Sequence, residues 1–246
     1  METFIDLHND AITVLKGKKF RCHVMTAETM DVTIIASIWT TNLKNPMRQI
    51  KKHAKTIKEM GMLLHVEDAW FISERNIDEL MALRPFSVGL TWNYNNPLAG
   101  GAHDDGGLTD LGRAIVSKLD NSGIRIDLAH LNKKSFYDVA KLLKGRKLFC
   151  SHTCFSDVHP HARNLDRAQI QTIVDSDGLI GLTLVPEFLG GDIQNHIDYF
   201  IKNFGDANLA IGTDFYGCNV EPNYNNYLHL PENVRHKNAR RFIDDL

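Results

Sequence analysis

Six residues in this chain combine the right side chains for hydrolytic chemistry at suggestive places: His8, Asp10, Glu67, His130, His152 and Asp214. Imidazoles and carboxylates are hard or borderline donors. Fixed on a rigid scaffold with a position left open for water, they make a hydrolytic metal site. In FIDLHND (4–10), the H-x-D spacing puts His8 and Asp10 on one side of an extended strand, about 7 Å apart. The same alternation predicts Asp6 on their side, one step deeper, and Ile5 and Leu7 on the other, packed outward against helices. His130 and His152 are placed to hold a second ion. Glu67 falls between the two groups in chain order, and its two oxygens suit it to bridge. Two ions that share a carboxylate commonly share a hydroxide as well, a strong nucleophile at neutral pH.

Taken singly, each residue has an ordinary use: His8 as a hydrogen-bonded core histidine, Asp10 as a helix cap, Glu67 in a salt bridge. The case is joint, and it depends on the elements that carry the residues. Apolar runs of strand length recur at 4–10, 32–39, 62–69, 86–92, 124–130, 147–153, 179–185 and 209–215. Helical segments are expected between them at 46–60, 76–84, 109–123, 132–145, 166–178 and 194–205, several with an Asn, Asp or Thr cap at the start and Gly at the end. The connection 11–31 shows no clear helix. This alternation predicts an α/β fold, a (β/α)8 TIM barrel as one domain over 1–246, with a doubly wound open sheet as the alternative. In such barrels the active site lies at the C-terminal ends of the strands, which is where the six residues fall.

A net charge of −2 supplies no basic field for nucleic acid. Lys51, Lys52, Lys55 and Lys58 fit the solvent face of a helix whose Ile50, Ala54, Ile57 and Met60 turn inward. No apolar run reaches the roughly 20 residues of a membrane span, and no signal peptide is evident, so a cytoplasmic protein is expected. Cys22, Cys150, Cys154 and Cys218 lack C-x-x-C pairing and suit reduced thiols. Cys150 and Cys154 flank His152 and are expected to pack rather than to ligate. His65 is expected in a supporting or core role beneath Glu67, His159 and His161 in a loop, and His103, Asp104 and Asp105 on the rim without an assigned task.

The blocks DLHND, VGLTWNYNNPLAGGAHDDGGLTDLGRAIV, GIRIDLAHLNKKSFYDV, CSHTCFSDVHPHARNLDRAQI, GLIGLTLVPEFL and IGTDFYG, in that order from Phe4 to Gly217, resemble the membrane (renal) dipeptidase family, peptidase family M19, of the amidohydrolase-like barrels. The resemblance implies a binuclear site for two Zn2+, with His8, Asp10 and Glu67 on one ion and Glu67, His130 and His152 on the other. It implies that Asp214 manages the proton of a bridging water and that Arg163 binds the carboxylate of a dipeptide substrate. Physical chemistry agrees with the last role, since guanidinium offers a bidentate fork to a carboxylate. Trp92 stands in LTW where the best-known members have a histidine that contacts the substrate carbonyl. Another small amide, a lactone or a phosphoester is the alternative substrate, and a non-catalytic metal or peptide binder the alternative function. The resemblance also hints at a homodimer, and a final barrel helix that is short or missing is expected.

Overall fold

The computed structural model describes residues 3–15, 19, 23, 27–215 and 223–245. The apolar runs form parallel strands β1 (Phe4–Asn9), β2 (Val32–Trp39), β3 (Leu63–Glu67), β4 (Ser87–Gly89), β5 (Arg125–Asp127), β6 (Phe149–Thr153), β7 (Leu179–Leu182) and β8 (Leu209–Ile211). They pair in chain order and close into a barrel. Helices cover the outside at Pro46–Glu59, Ile77–Met81, Asp110–Asn121, Lys133–Leu142, Arg167–Asp175 and Ile193–Phe204. Each expected helix is present, and side chains of Thr109, Asn132, Asp166 and Asp192 cap four of them. In the first helix Ile50 and Ile57 are buried and the four lysines are exposed. Two short helical turns, Ala11–Val14 and Pro186–Leu189, were not legible as elements. Most of the connection 16–26, with Cys22, and the 216–222 segment, with Cys218, lie outside the described residues.

The final helix is short and present. A π-helical turn, Asn233–Lys237, runs into Asn238–Asp244, and the Asn238 amide donates to the Leu209 carbonyl of β8 at 2.8 Å. Ile5, Leu7, Ile35, Phe149, Leu179 and Ala210, from strands around the barrel, form one buried cluster with Phe242 and Ile243 of this helix. Side chains on opposite strands touch only through the lumen. Ile5 and Leu7 therefore point into the barrel, not outward against helices as the simple alternation predicts, and the last helix closes its N-terminal end.

The reason is a bulge. Asp6 pairs with Ile34 and Asn9 with Ala36, so β1 spends one more residue than β2 over that step. An extra residue inverts the alternation beyond it. Leu7 and His8 both face the lumen, while Asp6 and Asn9 face the wall, where Asp6 accepts from the Thr213 N–H (2.8 Å), the Thr213 hydroxyl (2.6 Å) and the Tyr224 hydroxyl (2.8 Å). Strand β6 repeats the device: Cys150 pairs with Ile180 and Thr153 with Leu182, which turns both Ser151 and His152 inward. The displaced Ser151 carbonyl is accommodated because its neighbours are Gly181 and Gly212, where a Cβ would come within 1.9 Å of that oxygen.

Candidate active site

The lumen is layered. Above the apolar plug lies a buried polar belt of Ser37, His65, Ser87, Asp127 and Ser151, and above that the rim. At the rim His8 Nε2 lies 3.6 Å from Asp10 Oδ1, 3.9 Å from Glu67 Oε1 and 3.8 Å from Asp214 Oδ1. Glu67 Oε1 is 2.8 Å from His130 Nε2 and 3.6 Å from His152 Nε2. The donor atoms of His8, Asp10 and Glu67 fall within 4.8 Å of one another, as do those of Glu67, His130 and His152. Glu67 belongs to both groups. His130 (φ 66°) and Asp214 (φ 56°) adopt left-handed backbone just past β5 and β8. Residues with a β-carbon occupy that region at an energetic cost that the surrounding structure must hold, and such residues gather at functional sites.

The belt orients the rim, and sequence reasoning missed it. The Ser151 hydroxyl donates to Asp127 Oδ2 and lies 2.8 Å from His152 Nδ1 and 3.3 Å from His8 Nδ1. One hydroxyl proton and two lone pairs are thereby used, with both imidazoles donating from Nδ1. Asn93 Oδ1 lies 2.8 Å from His130 Nδ1 and fixes that ring in the same sense. The Nε2 atoms of His130 and His152 therefore both present lone pairs, 2.9 Å apart. Among the described residues, His8 Nε2 and Asp10 Oδ1 are buried without a hydrogen-bond partner. His65 sits in the belt as expected, 2.8 Å from Ser87 Oγ and 3.5 Å from Asp127 Oδ2. The available signal was a small or acidic polar residue inside a short strand, Asp127 in IRID and Ser151 in FCSHT.

Electrostatics follow from burial and crowding. Burial opposes a charge on His8, yet Asp10, Glu67 and Asp214 outweigh it and raise its pKa to about 10. Burial raises Asp214 to about 8 against the pull of His8, with Asp10 adding to the rise, and it lifts Glu67 well above the usual carboxylate range. Burial and the neighbouring cations hold His130 and His152 well below the ordinary imidazole value.

Trp92 lies over this edge, its ring 6.2 Å from His130 and 5.5 Å from Trp39. Arg163 is buried, its guanidinium 5.6 Å from the Phe188 ring centre and its Nε without a hydrogen-bond partner among the described residues. Its Nη2 is 3.5 Å from the His152 carbonyl, which places it beside the rim. His161 stays outside the cluster, its Nδ1 accepting the Arg163 N–H (3.1 Å) and its Nε2 3.6 Å from Glu187. Cys150 and Cys154 are buried in the apolar shell outside the strands, and burial pushes both thiols up, against a metal-ligand role.

A closed barrel with donors converging at the C-terminal rim defines a metal-dependent hydrolase barrel. The family model described as membrane dipeptidase (peptidase family M19) matches residues 46–239. The chain belongs to that family and is a metallo-dipeptidase. The matched stretch contains Glu67, Trp92, His130, His152, Arg163 and Asp214, while His8 and Asp10 precede it. A Klebsiella pneumoniae protein, described as an uncharacterized protein in the pqqA 5' region, is 30% identical over 195 residues, which are 71% of this chain and 72% of that one. Among solved structures, the dipeptidase AC, a metallo peptidase of family M19, superposes with a TM-score of 0.81 at 19% identity over 98% of this chain and 97% of its own. A Rhodobacter sphaeroides metallo peptidase liganded with a phosphinate mimic of the dipeptide L-Ala-D-Ala gives 0.79 at 18% identity, over 98% of each chain.

Proposed function

We propose that the rim binds two zinc ions, one through His8, Asp10 and Glu67 and the other through Glu67, His130 and His152, and that the protein hydrolyses dipeptides. The observation that carries this is the donor set itself. Imidazole lone pairs face each other and a carboxylate at hydrogen-bond distance, and His8 Nε2 and Asp10 Oδ1, 3.6 Å apart, are buried without a hydrogen-bond partner among the described residues. Such an arrangement is costly unless cations occupy it. Zinc bound there would lower the pKa of a water molecule and polarise the substrate carbonyl.

The remaining chemistry belongs to the chain. Asp214 Oδ1, 3.8 Å from His8 Nε2, accepts a proton from water and delivers it to the leaving amine. Its raised affinity for a proton suits a group that must both take and give one near neutral pH. Arg163, buried and with an Nε that has no partner among the described residues, holds the substrate carboxylate by a bidentate contact in a site where water does not compete. Trp92 covers the His130 edge with an indole face, so it excludes water there and gives the carbonyl no imidazole contact. The dipeptide mimic in the Rhodobacter sphaeroides relative supports a dipeptide as substrate.

The test is a dipeptide panel, with L- and D-residues at the C-terminal position, offered to zinc-loaded protein. Cleavage is expected, with Asp214→Asn lowering kcat by at least about a hundredfold while zinc content stays near two per chain. No cleavage of any member would overturn the dipeptidase reading. Turnover of a small amide, lactone or phosphoester instead would favour the second substrate class, to which Trp92 in place of a polar side chain gives some support.

A further inference from the structure

We propose that a cavity beside the rim is a subsite for a cationic group, and that its occupant is a cationic side chain on the amino-end residue of the substrate. The proposal rests on the dipeptidase reading for its substrate. The cavity, about 440 Å³, opens between the loops after β2, β3 and β4 and is lined by Thr41, Asp68, Trp70, Trp92, Tyr94 and Asn96 among others. Among the described residues, Asp68 is the one charged residue lining it. This carboxylate is only 6% exposed, and no cationic side chain pairs with it among the described residues.

Donors surround it instead. The Thr41 hydroxyl donates to Oδ2 and the Asn96 amide to Oδ1 at 3.0 Å. Donors satisfy the oxygens of a carboxylate and leave its charge uncompensated, and buried charges are otherwise paired. Three aromatic residues, Trp70, Trp92 and Tyr94, line the same cavity. The Trp92 and Tyr94 rings meet edge to face at 6.3 Å, and Trp70 (36% exposed) and Tyr94 (60%) form an open lip. Aromatic faces around a buried carboxylate are the chemistry that recognises an ammonium or guanidinium, and large exposed aromatics mark a contact surface.

Position selects which part of the substrate arrives there. Asp68 follows Glu67 in the chain, and Trp92 is shared between the cavity and His130. Arg163 lies in the loop after β6, and His130 in the loop after β5, between it and the cavity loops in strand order. A substrate whose carboxylate is held by Arg163 therefore directs its other end toward the cavity between β3 and β4.

The test compares L-Lys-D-Ala with L-norleucyl-D-Ala, of similar chain length without the charge, in the wild-type protein, Asp68→Asn and Tyr94→Leu. The wild-type protein is expected to favour the lysyl substrate in kcat/KM by about tenfold, mostly through KM, and each variant to shrink that ratio. Equal use of the two substrates, or a ratio that survives Asp68→Asn, would overturn the subsite. A second arm needs no turnover: agmatine, a guanidinium compound with no peptide bond, is titrated against tryptophan fluorescence. Saturable quenching that Asp68→Asn weakens is expected, and its absence from the wild-type protein counts against the subsite. If no dipeptide is cleaved, the hydrolytic reading fails while this titration still decides for or against a cation subsite.

Discussion

Ser151 holds two imidazoles and one carboxylate with a single hydroxyl, so its loss frees both His8 and His152 to turn. Partners of this kind tune ligand orientation and basicity, and removing one typically weakens metal binding 10- to 100-fold. Ser151→Ala is expected to lower zinc affinity by about that factor, read by competition with a coloured chelator; unchanged affinity would remove Ser151 from the site. The carboxylates around His8 give a second expectation. With its pKa raised to about 10 and that of Asp214 to about 8, both groups hold protons at pH 7 in the metal-free protein, and a ligating imidazole must release its Nε2 proton. Zinc affinity therefore rises with pH through neutrality, and calorimetry in buffers of different protonation enthalpy should show net proton release. The rim residues were legible because each is an ionisable side chain ending an apolar run. Ser151 and Asp127 were not, since a serine or aspartate within a strand looks like ordinary alternation until the neighbouring strands are in place.

Strand and helix order could be read because apolar runs, caps and glycines agree with one another. The elements' finer form could not, because the bulges in β1 and β6 arise from pairing with β2 and β7, which no local pattern encodes. That is why Asp6 was expected beside His8 and is found on the wall. Caps, being local, were readable, and the helix Arg167–Asp175 begins with a full capping box between Asp166 and Gln169. Asp166→Ala should cost about 1 kcal/mol in denaturant unfolding. Burial raises the pKa of Asp166, but bonds from Lys133 and the Gln169 N–H outweigh that and lower it. Its stabilisation is then fully present above the ordinary carboxylate pKa and is lost as pH falls through the lowered one. The difference between wild type and variant should shrink in strong acid, and a difference that grew there would refute the assignment.

Closure of the barrel makes the two ends of the molecule interdependent. Phe242, in the last helix, stacks on Phe149 of β6 at 5.5 Å, and Arg125 of β5 lies 4.7 Å over its ring while donating to its carbonyl at 2.9 Å. The same buried cluster reaches β1 through Ile5 and Leu7, so the strand that carries His8 is fixed from below by the helix Asn238–Asp244. Phe242→Ala removes a ring that is 3% exposed, and truncations of this kind cost about 3–5 kcal/mol. If the helix is part of the barrel, that loss appears as one cooperative transition at lower denaturant concentration, because strands all around the lumen lose the same contact. The donor geometry lies at the opposite end of the strands, so the folded variant should still bind zinc with unchanged stoichiometry. A separate early transition, with the main one unmoved, would instead make the last helix an appendage. The bulge in β1 would then have to hold His8 and Asp10 in place without support from beneath.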